Sequence, residues 1–144
     1  IKRGIQVTLR LDNGEPLEAI VAHLIPFYPL NKFYRLAQDW YARRAKQVSY
    51  LSNIVKQYDE PVIIMCDCNF TDTSETYAQM RRVMSDSFHK AGWGLGHTFR
   101  GKFFPVGRID YIWHTEDIKT VETYVCKGGS SDHLPVIAEL QLVK

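Results

Sequence analysis

Residues 61–70, Pro-Val-Ile-Ile-Met-Cys-Asp-Cys-Asn-Phe, constrain the fold of this chain more than any other stretch. Four apolar residues follow a proline and run directly into Cys66-Asp67-Cys68-Asn69. The run is short and rich in β-branched residues, so it reads as a strand over 62–69. Its near-continuous apolar character fits a sheet covered on both faces. Successive strand side chains alternate, so Asp67 and Asn69 share one face while Cys66 and Cys68 share the other. A carboxylate and a carboxamide therefore arrive at the C-terminal end of a buried strand, where α/β sheets open into loops and bind ligands. Capping of the next turn, "FTDTSE", would employ the same two residue types.

The remaining periodicities build a sheet around that strand. Residues 5–9 alternate at period two, and Asp12-Asn13-Gly14 signals a hairpin leading to a second strand over about 17–24. Between Lys32 and about Gln57, apolar residues at Phe33, Leu36, Trp40, Ala45, Val48, Leu51 and Val55 mark one face of a long helix, stopped before Pro61. Thr73 or Ser74 caps a shorter helix with Tyr77, Met80, Met84 and Phe88 inside. The turn "AGWGLGHTF" leads to three more strands, "GRIDYIWH", "TVETYVC" and "LPVIAELQL", with the loop "KGGSSDH" between the last two. The long helix joins strands that can be parallel, and the short later connections predict antiparallel neighbours. The fold class is α/β: mixed β-sheets flanked by helices.

The 144 residues, 45% hydrophobic and 24% charged, suffice for one folded domain with a sizeable core. Eighteen basic residues against sixteen acidic ones neither favour nor exclude a polyanionic partner. No apolar run is long enough to span a membrane. Cys66 and Cys68, two apart on an extended strand, would hold their Cα atoms roughly 6.6 Å apart with parallel side chains, which suits three buried thiols, with Cys126, better than a disulfide. A zinc site built from Cys66, Cys68, Cys126 and His133 is a further reading of the same residues.

Polar residues recur at other strand ends. Asp110 is a lone carboxylate within "GRIDYIWH", on the same face as Arg108, and needs a partner if buried. An Arg108–Asp110 ion pair would satisfy it structurally. Asp132 and His133 stand where "GGSSDH" becomes a strand, a carboxylate and an imidazole at one mouth. His23 ends the strand "VAHLIP", where a lone imidazole more commonly serves packing. Taken together, Asp67, Asn69, Asp110, Asp132, His133 and His23 are rich in carboxylate and imidazole and hold no evident nucleophile. That set suits Mg²⁺-assisted attack of water on a phosphate ester.

With these residues in view, the sequence resembles the endonuclease/exonuclease/phosphatase superfamily, the deoxyribonuclease-I-like fold. "CDCN" is similar to that family's "GDFN", "RIDYIW" to its "R-[IL]-D-Y" strand, "SSDHLPV" to its "SDH-x-P" loop and "AHL" to its "THL"; Arg44 and Gln47 match a helical "R-x-x-Q". The resemblance implies a four-layer α/β/β/α sandwich and a metal-dependent phosphoesterase using Mg²⁺ or Mn²⁺. It assigns catalytic roles to His23, Asp67, Asn69, Asp110 and His133: Asp67 orients or activates water, Asn69 holds phosphate and water in line, and His133 contacts phosphate while paired with Asp110. His23 is a second phosphate contact, and Asp67, Asn69 and Asp132 bear on the metal. Cys66 and Cys68 depart from the family's Gly and Phe.

The family's early Asn and its metal-binding Glu have no counterpart in the sequence. The resemblance thus implies that residues 1–144 are a single domain of this type, without its N-terminal portion. Exposed apolar surface, self-association or pairing with a missing segment, and weakened metal binding are the corresponding expectations. The alternative is a truncated or degenerate non-catalytic domain that binds a partner or phosphorylated ligand. The phosphodiester substrate is a nucleic acid or a phospholipid headgroup. Two loops mixing aromatic and basic residues would select it: Phe27, Tyr28, Lys32, Phe33, Tyr34 and Arg35 in one, and Arg100, Lys102, Phe103, Phe104 and Arg108 in the other.

Overall fold

The computed structural model describes residues 4–26, 34–101 and 105–143. The chain opens with a hairpin of β1 (Gly4–Arg10) and β2 (Pro16–His23), turned at Gly14, whose φ of 84° a side chain would resist. Helix α1 (Tyr34–Val55) then crosses back over the sheet, and β3 (Val62–Asp67) lies parallel to β2. The long connection that a parallel pair requires is therefore supplied by the amphipathic helix, whose Val48, Leu51 and Val55 are buried against the strands.

After β3 come α2 (Glu75–Met80), β4 (Ser85–Asp86), α3 (Ser87–Ala91), β5 (Phe99–Arg100), β6 (Pro105–Gly107), β7 (Asp110–His114), β8 (Ile118–Val125) and β9 (Val136–Leu142). The main sheet runs in the order β1-β2-β3-β7-β4, with β5–β6 and β8–β9 as separate pairs. Its core lies between the helical side of this sheet and α1 and α2. Ile20, Val62, Ile64 and Trp113 are sealed there, and Phe70, Tyr77 and Tyr111 stack or tilt against one another beside Trp113.

Four expectations change. The single helix after Ser74 is two. Ser74 caps α2, but Asp86 pairs with β7 and then caps α3 by accepting the Phe88 N–H, which restarts the chain in a new direction. Met84 and Phe88 are buried all the same. Strand β7 pairs with β3 and β4 rather than with β8. Strand β3 is covered on one face only: Val62, Ile64 and Cys66 are buried, whereas Met65 is 38% exposed.

The cysteines are the fourth change. Strand β3 stops at Asp67 and Asn69 turns to a φ of 53°, so the Cα atoms of Cys66 and Cys68 close to 5.0 Å and the two are disulfide-bonded. Cys126 is free and partly exposed, and the zinc reading loses two of its four ligands. The alternative partner for Asp110, Arg108, does not pair with it. Arg108 lies before β7 begins and bonds Asp86 and Asp72 instead.

Apolar surface is open as expected: Ile5 is 68% exposed, and Val7, Leu9 and Val21 are exposed beside it. Among the described residues no helix is long and apolar enough to cross a membrane. Phe27, Tyr28, Lys32, Phe33, Lys102, Phe103 and Phe104 lie outside the described residues, as do the side chains of Tyr34, Arg35 and Leu36.

Candidate active site

Sheet register assembles the site. His23 is the last residue of β2 and stands opposite Asp67, the last residue of β3, which stands opposite Asp110, the first residue of β7. Three polar side chains therefore form one row across three neighbouring strands, at the edge where β2 and β3 give way to loops. His23 Nε2 lies 3.4 Å from Asp67 Oδ2. His133, from the loop before β9, closes the row: its Nδ1 is 2.9 Å from Asp110 Oδ2 and 3.1 Å from Oδ1. A cavity of about 920 Å³ extends from this row over Val21, Met65 and Ile112 to Pro135 and Val136.

The electrostatics follow from that crowding. Burial raises the affinity of Asp67 for a proton, and the neighbouring Asp110 carboxylate raises it further; His23, His133 and the Asn69 N–H oppose the shift. Burial pulls the His133 imidazole down, but the hydrogen bond and charge of Asp110, with Asp67 and Asp132, carry it above its ordinary value. Asp67 Oδ1 is buried and has no hydrogen-bond partner. One ligand atom each from Asp67, Asp110 and His133 lie within 4.8 Å of one another; His133 and Asp110 bond each other, and the unpartnered buried oxygen of Asp67 is the donor of this group that fits a divalent cation.

The other expected residues sit at different depths. Asn69 donates through Nδ2 to the Leu24 carbonyl, 3.1 Å away, which ties the end of β3 to the chain leaving β2. Asp132 is exposed; its carbonyl accepts the Arg100 N–H and its carboxylate lies 3.5 Å from Ser131 Oγ. Arg44 donates through Nε to the Ile25 carbonyl, and Gln47 accepts the Ile25 N–H. This pair on α1 thus pins the segment immediately after His23. The structure brings His23, Asp67, Asp110 and His133 together, with Asn69 alongside and Asp132 at the surface.

Thr98 is a residue the sequence did not single out. Fully buried, it accepts the N–H groups of Ile109 and Asp110 through Oγ1, and its carbonyl accepts the Leu134 N–H. It therefore holds both Asp110 and the chain after His133. Next to it, Phe99 bridges His133 and sets its ring edge-on at 5.1 Å. The only signal was a threonine in the Gly-rich turn "AGWGLGHTF", where hydroxyl residues are common for ordinary turn reasons.

Residues 3–133 match the family model described as the Endonuclease/Exonuclease/phosphatase family. No curated protein matches the chain in sequence. Among solved structures, the endonuclease/exonuclease/phosphatase from Bacteroides vulgatus superposes with a TM-score of 0.78 at 20% identity, covering 97% of this chain and 55% of that one. The mannosyl-6-phosphatase of Bacteroides thetaiotaomicron gives 0.73 at 20% identity, over 91% of this chain and 53% of its own. The human Nocturnin catalytic domain, solved with a bound sulfate anion, gives 0.67 at 20% identity, over 97% and 52%. These likenesses establish a shared α/β fold, and the chain spans about half the length of each of these structures.

Proposed function

The chain belongs to the endonuclease/exonuclease/phosphatase family, and on that premise we propose that it serves hydrolysis of a phosphodiester by metal-assisted attack of water. The observation that carries this reading is the row of His23, Asp67 and Asp110 on adjacent strands, closed by His133. Asp67, with its raised proton affinity, is suited to orient water and accept its proton at a pH nearer neutrality than an ordinary aspartate. His133 is held in orientation by Asp110 and, kept protonated to higher pH, donates to a phosphate oxygen. His23 supplies a second contact from across the row.

Asn69 spends its amide nitrogen on Leu24, so its carbonyl oxygen is the group it offers to water or cation. A Mg²⁺ or Mn²⁺ bound there would neutralise phosphate charge. Asp67 is the residue best placed to hold it, with Asn69 and the exposed Asp132 as further oxygen donors. The substrate is a nucleic acid or a phospholipid headgroup, and the site chemistry is common to both.

The test is hydrolysis of a chromogenic phosphodiester with Mg²⁺ or Mn²⁺ against EDTA. Turnover that needs the metal and disappears in Asp67→Ala supports the reading. Turnover that persists in EDTA, or in Asp67→Ala, overturns it. A binding-only domain would bind phosphate and show no turnover at saturating metal.

A further inference from the structure

Trp93 is 95% exposed and Leu95 76% exposed, and they stand on the turn between α3 and β5. An isolated exposed apolar residue needs no explanation, but a tryptophan and a leucine presented together on a fixed turn do. The turn is fixed by its glycines. Gly94 and Gly96 have φ values of 83° and 61°, in the left-handed region. A Cβ at Gly96 would lie 2.4 Å from the Phe88 ring, and one at Gly92 2.6 Å from the same ring. The backbone therefore lies flat on Phe88, itself buried and covered by the Arg108 guanidinium 5.1 Å from its ring centroid. The base of the loop is packed while its two large apolar side chains point to solvent.

Charge indicates what such a tip meets. Residues 87–109 hold Lys90, Arg100, Lys102 and Arg108, with His89 and His97, and no acid. Arg108 is committed to Asp86 and Asp72, but His89 and Lys90 are exposed in the last turn of α3, four and three residues before Trp93. An apolar tip beside the exposed Lys90, on a stretch of sequence with basic residues and no acid, is the arrangement that enters the headgroup layer of an anionic membrane. A base-stacking platform would instead place rings in succession, and Leu95 has none. The far end of the turn runs through Thr98, whose hydroxyl accepts the Asp110 N–H, and Phe99, whose ring lies edge-on to His133, so the chain that carries the tip continues into the residues that hold the site.

We propose that Trp93 and Leu95 form an interfacial docking loop for anionic phospholipid bilayers. Docking stands apart from hydrolysis, and vesicle binding tests it without turnover. The protein is sedimented with vesicles of phosphatidylcholine alone and of phosphatidylcholine with about one-third phosphatidylglycerol, the anionic component. The wild type should bind the anionic vesicles, more weakly as salt rises, and the Trp93→Ser/Leu95→Ser variant about tenfold more weakly or less still. Because both side chains are exposed, the variant should keep the wild-type circular dichroism spectrum. Trp93→Phe should retain binding but lose the blue shift of tryptophan emission on vesicles, although Trp40 and Trp113 remain. Equal binding by wild type and the double variant, or no binding to either vesicle, overturns the proposal. Binding to a single-stranded oligonucleotide that is lost in the variant, without vesicle binding, assigns the loop to nucleic acid and overturns it equally.

Discussion

Arg108→Met is the perturbation whose cost is most fully determined by the structure. The Arg108 guanidinium is buried, with Nη1 2.5 Å from Asp86 Oδ2 and Nη2 3.2 Å from Asp72. Its carbon centre sits 4.8 Å from the Tyr111 ring centroid, 5.1 Å from Phe88 and 5.8 Å from Tyr77. Methionine fills much of the same volume, so the main loss is the charge. Asp86 is 1% exposed and would keep only the Tyr77 hydroxyl and the Phe88 N–H as donors.

Removing one partner of a buried ion pair costs about 3–5 kcal/mol. The two surviving donors place Arg108→Met near the lower end, and three lost cation–π contacts add about half a kcal/mol each, about 4.5 kcal/mol in all. With a urea slope of about 2 kcal/mol/M, the midpoint falls by about 2 M. Urea titration followed by circular dichroism measures this. Asp86→Asn in the same background should restore part of the loss, because the orphaned charge is gone. A midpoint shift below about 0.3 M for Arg108→Met would show that the buried pair contributes almost nothing and refute the reasoning.

Four further outcomes concern the site. A profile of kcat/KM against pH should be bell-shaped: activity falls on the acid side as Asp67 takes up its proton and on the alkaline side as the raised His133 loses its own. Asp110→Asn removes a repulsion from Asp67 and an anchor from His133, so both limbs should move to lower pH; a profile that keeps its alkaline limb would separate Asp110 from His133. Thr98→Val leaves the Ile109 and Asp110 N–H groups without their acceptor, and should cost about 1–3 kcal/mol in the urea midpoint while speeding hydrogen exchange at those two amides. Calorimetric titration with Mn²⁺ should show binding weakened about tenfold or more by Asp67→Asn, since a hard cation depends on its few charged ligands.

What was legible in the sequence was what repeats. Alternation located β1 and β2, the 3.6-residue period located α1, and the polar ends of "CDCN" and "RIDY" marked the residues that register later aligned. Events that break a period were invisible. Asp86 is simultaneously a strand partner, a helix cap and the counter-ion of Arg108, and only the fold shows that these roles coincide. The Cys66–Cys68 bond depends on where β3 ends, a matter of one or two residues that apolar content cannot settle. Thr98 escaped because its importance lies in which backbone groups come to it, and a hydroxyl in a Gly-rich turn carries no sign of them.

The register His23↔Asp67↔Asp110 separates two kinds of change that this protein can undergo. The row is a set of ladder rungs, so its members can shift against one another only in whole-residue steps of about 3.3 Å, each of which also turns a side chain to the opposite face. Lengthening or reshaping the connection between β2 and β3 leaves the rungs in place, because α1 and its loops lie outside the paired segments. Deleting a single residue inside 62–66 dismantles the row at once. The chemistry is thereby locked to the sheet as a discrete coordinate, and the connections around it are free to vary toward new substrates without moving the reacting groups.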